Sequence, residues 1–122
     1  MRTELSRTFR IEAAHRLPNV PPEHKCARLH GHSFHITLQV GGEVDPHLGW
    51  VIDYAYIDRA FEPLHALLDH RYLNEVPGLE NPTSELLARF VLEHVRLPTG
   101  RLLSVSVAET CLSACTVYAE GA

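Results

Sequence analysis

Nine histidines in 122 residues is a high count, and three of them are spaced to do chemistry together. His30 and His32 stand at i and i+2. In an extended strand they leave the same face with alpha carbons about 7 Å apart. His15 closes an earlier alternating segment. If the two segments pair antiparallel, the end of the first lies against the start of the second, and His15 meets the other two. Three imidazoles converging from one face can hold zinc and leave a fourth position open, the arrangement of a reactive rather than a structural site. Gly31 between them removes a side chain where the backbone needs to bend. One histidine alone would read as a core-face residue that finds a hydrogen-bond partner. Three at one end of one face point to zinc.

Acid–base candidates lie nearby. Cys26 precedes His30 by four residues and is flanked by His24, Lys25 and Arg28; positive charge favours its thiolate, and so a base or nucleophile. Spacing alone leaves it equally a small loop residue without a task. Asp69-His70 pairs a carboxylate with an imidazole whose tautomer and cation it can support, although such a dipeptide is more often a helix-end cap. Glu109 falls on the apolar side of its strand, where an unpaired carboxylate is costly. A ligand with two adjacent N–H donors would satisfy it in bidentate fashion; reaching water at the strand end is the plainer alternative.

The elements that must position these groups follow from periodicity. Leu5 to Arg16 alternates, with Arg7, Phe9, Ile11, Ala13 and His15 on one face, and reads as a half-buried strand. Prolines 18, 21 and 22 stop it, and Asn19 to Leu29 is a loop. His30 to Val40 is a second strand, with Gly41-Gly42 and Asp45-Pro46 marking its end. Tyr54 to Leu68 is helical, capped by Asp53 and striped by Ile57, Phe61, Leu64 and Leu68, with Pro63 expected to bend or split it. A second helix is expected to start with Asn81 as cap and Pro82 in the first position, with Glu85 in its first turn. It would bury Leu86, Leu87, Phe90, Val91 and Val95 and end before Pro98 and Gly100. Leu102 to Thr110, with Leu103, Val105, Val107 and Glu109 on one face, and Ala114 to Ala119 complete a hairpin. The order ββααββ predicts an α+β fold: a four-stranded antiparallel sheet with two helices on one face.

Bulk properties bound the function. The length suits a single domain over 1–122, and 45% hydrophobic with 21% charged residues is a globular composition. A net charge of −4 lacks the basic footprint of a nucleic-acid binder, and no apolar run reaches membrane-spanning length. Met1 to Arg10 has no secretory pattern, so a cytoplasmic protein is expected. Three cysteines do not make a disulfide framework, and Cys111 and Cys115 read as free thiols.

The motifs also resemble a known family. Glu12-Ala13-Ala14-His15-Arg16-Leu17, Cys26-Ala27-Arg28-Leu29-His30-Gly31-His32, Leu68-Asp69-His70, Asn81-Pro82-Thr83-Ser84-Glu85 and Ala108-Glu109-Thr110 resemble, in order, the signatures of 6-pyruvoyltetrahydropterin synthases. Val44-Asp45-Pro46-His47 and Gly78-Leu79-Glu80 are most similar to the 6-carboxytetrahydropterin branch, which serves queuosine and deazapurine synthesis. The resemblance implies that His15, His30 and His32 bind Zn2+. It further implies that Cys26 accepts a proton, Asp69 with His70 relays charge, and Glu109 holds the pterin of 7,8-dihydroneopterin triphosphate. Arg16, Lys25 and Arg28 become candidates for the triphosphate. It also implies the tunnelling fold, a homohexamer of two trimers with sites at subunit interfaces. Members with glutamate in place of the cysteine run a folate-directed reaction, and Cys26 argues against that variant. The pyruvoyl branch, a non-catalytic zinc-stapled domain and a zinc hydrolase stand as rivals; the last leaves Glu109 and Cys26 without work.

Overall fold

Alternating apolar residues near each end of the chain, and stripes at helical spacing between them, give one surface of each element to a common interior. The computed structural model describes residues 1–109 and 112–121. It contains β1 (Arg2–His15), β2 (His30–Glu43), α1 (Tyr54–Leu68), β3 (Arg71–Tyr72), α2 (Ser84–His94), β4 (Arg101–Glu109) and β5 (Ser113–Tyr118). The sheet order is β3-β1-β2-β4-β5. Neighbouring long strands pair antiparallel, whereas β3 pairs parallel with β1. The expected four-stranded antiparallel sheet is thus corrected to a mixed five-stranded one within an α+β fold. Two residues are too few to show a period, so β3 leaves no signal in the sequence. It forms because α1 returns the chain to the free edge of β1, where the His70 N–H donates to the Glu12 carbonyl (2.6 Å).

One face of the sheet carries the core. Ile11, Phe34, Ile36, Leu38, Val40, Val105 and Val107 are buried together with Ile57, Phe61, Leu64 and Leu68 of α1 and Leu87, Ala88, Phe90 and Val91 of α2. All four residues of the expected α1 stripe are buried, and Asp53 caps that helix by accepting the Ala55 N–H (2.9 Å). Pro63 does not split it. It lies on the exposed side of the helix, where water can satisfy the carbonyl that a proline leaves without its N–H partner. Among the described residues no helix is long and apolar enough to cross a membrane.

Several expected boundaries move, each for a local reason. The cap of α2 is Thr83, not Asn81: its hydroxyl accepts the Leu86 N–H (3.1 Å). Leu86 is only half-buried, and Ala88 takes its place in the stripe. Gly41-Gly42 continue β2 instead of ending it. A Cβ on Gly41 would lie 2.7 Å from Leu103, and one on Gly42 2.8 Å from Val51, so bare backbone lets those side chains pack. The register slips where β4 passes Gln39 and Val40. That bulge makes Leu103 the extra residue and turns it off the core face, where Leu102 packs instead. Cys26 and Cys115 are free thiols; Cys111 lies outside the described residues.

Candidate active site

The pairing of β1 with β2 sets the histidines. His15 lies directly opposite His30, and Ala13 opposite His32, so three imidazoles leave the helix-covered face at one end of the sheet. Their ring centroids are 4.6, 5.1 and 4.8 Å apart, in edge-to-face orientations. Buried Phe34 meets the rings of His15 and His32 edge-on and forms the floor.

Hydrogen bonds decide the tautomers. His15 Nδ1 lies 2.8 Å from the Pro82 carbonyl, and His30 Nδ1 2.7 Å from the Arg28 carbonyl. A carbonyl can only accept, so each Nδ1 carries the proton and each Nε2 keeps a lone pair. His15 is 2% exposed, and its Nε2 is buried without a hydrogen-bond partner. Such an atom is costly unless something occupies its lone pair. Burial is the main influence on His15 and lowers its pKa below the ordinary histidine value, against the opposing pull of the Pro82 bond and Glu109. The ring is therefore neutral, as a ligand must be. One ring nitrogen from each of the three histidines falls within 4.8 Å of the others. The carbonyl-held Nδ1–H groups of His15 and His30 are the usual outer support of metal-binding imidazoles. The three histidines could hold a metal ion, and the donor set suits zinc.

Glu109 ends β4 opposite Phe34, which brings its Oε2 to 3.6 Å from His32 Nε2. Ser84 Oγ donates to its Oε1 (2.7 Å), so the carboxylate is neither unpaired nor simply solvated. Beyond it lies a cavity of about 340 Å³ lined by Ser84, Glu85, Glu109, Ser113, Ala114 and Cys115. The volume is within the range of small-molecule pockets. Burial, with help from the carboxylates of Glu85 and Glu109, pushes the Cys115 thiol up and keeps it neutral.

Asp69 and His70 form a second group at the outer edge of β1. Asp69 Oδ1 accepts the Glu12 N–H (2.9 Å), and Oδ2 accepts from His70 Nδ1 (2.8 Å). The Glu12 bond, then the His70 bond, hold the Asp69 carboxyl below the usual carboxylate range. His70 adopts a left-handed φ of 57°, and its side chain is 77% exposed, so its Nε2 is presented outwards. A cavity of about 610 Å³ touches Glu12, His32, Ser33, His70 and Arg71.

Cys26 sits in a 3-10 turn, Lys25–Ala27, held by its own N–H to His24 Nδ1 (3.0 Å) and by the Leu17 N–H to its carbonyl (2.8 Å). Among the described residues no hydrogen bond joins its sulfur to the histidine trio or to Asp69-His70. The structure thus gathers His15, His30, His32 and Glu109, pairs Asp69 with His70 separately, and leaves Cys26 on the connecting loop. Ser84 and the carbonyls of Pro82 and Arg28 escaped the sequence reading. A carbonyl has no residue-type signature, and Ser84 stood unremarked inside the Asn-Pro-Thr-Ser stretch.

Comparison with known proteins agrees with this geometry. The model of the 6-pyruvoyl tetrahydropterin synthase family matches residues 4–120. The chain is 42% identical over 118 residues to the 6-carboxy-5,6,7,8-tetrahydropterin synthase of Synechocystis sp., covering 90% of this chain and 88% of that protein. It is 27% identical to the protein of the same name from Aquifex aeolicus, over 79% and 80% of the two. Among solved structures, the 6-pyruvoyl tetrahydropterin synthase of Caenorhabditis elegans superposes with a TM-score of 0.88 at 27% identity, over 98% of this chain and 97% of that one. A match this continuous, in sequence and in shape, makes the chain a member of the 6-pyruvoyl tetrahydropterin synthase family of pterin enzymes.

Proposed function

We propose that the chain is a lyase converting 7,8-dihydroneopterin triphosphate to 6-carboxy-5,6,7,8-tetrahydropterin, with release of acetaldehyde and triphosphate, in queuosine biosynthesis. The observation that carries this reading is the buried, unpartnered Nε2 of His15 among three imidazoles, beside a carboxylate facing a cavity of ring size. The relatives named 6-carboxytetrahydropterin synthase favour this product.

His15, His30 and His32 would hold zinc, which when bound supplies Lewis-acid polarisation of the substrate's side-chain oxygens. Glu109, oriented by Ser84, accepts two adjacent N–H donors of the pterin and places its side chain towards the histidines. Cys26, as thiolate, takes the proton from the side-chain carbon. Asp69 fixes the proton on His70 Nδ1, so Nε2 is free to exchange protons on the other side of the substrate chain. One water enters as triphosphate leaves and the carbon–carbon bond breaks. Reduction of the ring is balanced within the substrate by oxidation of its side chain, so no external electron carrier is consumed.

His70 is exposed at the outer edge of β1, whereas the trio spans β1 and β2 on the covered face. We therefore assign the trio and the relay of one site to different subunits of a homohexamer built from two trimers. Each subunit is one domain, 1–122, working in the cytoplasm on a small-molecule pterin, with neither nucleic acid nor membrane as partner.

The likeness to a 6-pyruvoyl tetrahydropterin synthase supports a second reading, elimination of triphosphate without carbon–carbon cleavage. Incubating zinc-loaded protein with 7,8-dihydroneopterin triphosphate and weighing the products separates the two. Acetaldehyde with the 6-carboxy product supports the first reading, and a 6-pyruvoyl product without acetaldehyde supports the second. Bound zinc with no turnover would refute both and leave a zinc-stapled domain.

A further inference from the structure

Asp69 serves more than one histidine. Its Oδ2, which accepts from His70 Nδ1 at 2.8 Å, also faces His65 Nε2 at 3.7 Å. His65 is four residues earlier, one turn back on α1, so the helix itself aims the ring at the carboxylate. Its side chain is 48% exposed, and its ring packs edge-on against Phe61 at 6.4 Å. Phe61 in turn stacks on Phe9 of β1 (4.2 Å), so the face of His65 towards the protein is fixed. The other oxygen of Asp69 is occupied by the Glu12 N–H. Both imidazoles approach Oδ2, His70 as a hydrogen-bond donor and His65 at ion-pair distance.

Resting on the relay assigned above to Asp69 and His70, we propose that His65 is a positioning residue that competes with His70 for Asp69 Oδ2 and so tempers the basicity of His70. When His65 is protonated it takes part of the carboxylate's charge and opposes a second proton on His70 Nε2. When His65 is neutral, Asp69 belongs to His70 alone. The coupling keeps the relay from becoming so basic that it holds its proton. Other charged groups around the carboxylate are Glu12 of β1 and Arg71 of β3, which line the neighbouring cavity with His70. Glu12 is committed to Arg10 and Ser33.

Two exposed-surface variants with opposite expected signs test the proposal in the zinc-loaded protein. His65→Gln removes the titrating charge, and His65→Lys makes it permanent. The titration midpoint of His70 is followed by NMR of 13C-labelled histidine, with His70→Gln to identify its signal. The midpoint should rise by about half a pH unit in His65→Gln and fall in His65→Lys, a size expected of a partly exposed charge pair. The acid limb of the turnover profile should move in the same directions. No movement, or movement of the same sign in both variants, overturns the role of His65. Midpoints that shift as stated while the turnover profile stays still would uphold the coupling and instead refute the relay role of His70.

Discussion

At the scale of single residues, two carbonyls and one orphaned nitrogen define the candidate metal centre better than ring proximity does. The Pro82 and Arg28 carbonyls dictate which nitrogen of His15 and His30 can be offered to a cation. Burial then keeps His15 from wasting that lone pair on a proton. Metal holding and proton transfer should therefore separate under mutation. His30→Ala should lower bound zinc and turnover together, because two imidazoles cannot close the site. Cys26→Ala should leave zinc content unchanged while turnover falls by about two to four orders of magnitude, the usual worth of a positioned acid or base. Metal analysis beside an activity assay reads both, and near-normal turnover in Cys26→Ala would remove the thiol from the reaction. The trio was legible because period two is rigid: three histidines on one face of paired strands have nowhere else to point. The tautomers were not, since backbone carbonyls carry no letter in the sequence. Glu109 was legible as a carboxylate needing a partner, but its partner Ser84 comes from another element.

At the scale of elements, α2 does more for the site than bury its stripe. The segment entering it presents the Pro82 carbonyl to His15, and its first residue presents the Ser84 hydroxyl to Glu109, so one helix start supports both the candidate metal ligand and the carboxylate beside it. Thr83 holds that start by accepting the Leu86 N–H. Thr83→Ala should cost about 1 kcal/mol of stability, as loss of a helix cap does. It should also weaken zinc binding, by no more than about tenfold, because only outer support is loosened. Thermal melting with a competitive zinc titration checks both; a stability loss with unchanged zinc affinity would uncouple the cap from the site. The long elements were readable because each repeats its pattern several times, and all four stripe residues of α1 are buried as expected. β3 was not, being two residues whose pairing depends on where α1 delivers the chain. Nor was the bulge that turns Leu103 outward, which arises only when β4 is laid beside β2.

At the scale of the whole molecule, the groups proposed to react together sit on different parts of a sheet whose edges are β3 and β5. The trio spans β1 and β2 with Glu109 next to it on β4, while Asp69-His70 hangs beyond the outer edge of β1, its imidazole turned to solvent. In a lone chain the relay meets the trio only where the open cavity beside His70 reaches His32. A closed ring of copies solves this if each subunit lends its relay to the next. The idea has a sharp consequence for mixed assemblies. His30→Ala, with its relay intact, and His70→Gln, with its trio intact, should each be inactive as pure proteins. Co-expressed in equal amounts, they should recover activity, since a site can take its metal ligands from one kind of subunit and its relay from the other. Random mixing makes about one site in four complete, so about a quarter of normal turnover is expected. Assemblies that form with zinc bound to the His70→Gln subunits yet show no turnover would place both groups in a single subunit. The edge position of Asp69-His70 would then serve a substrate reaching across β1 from its own chain's metal.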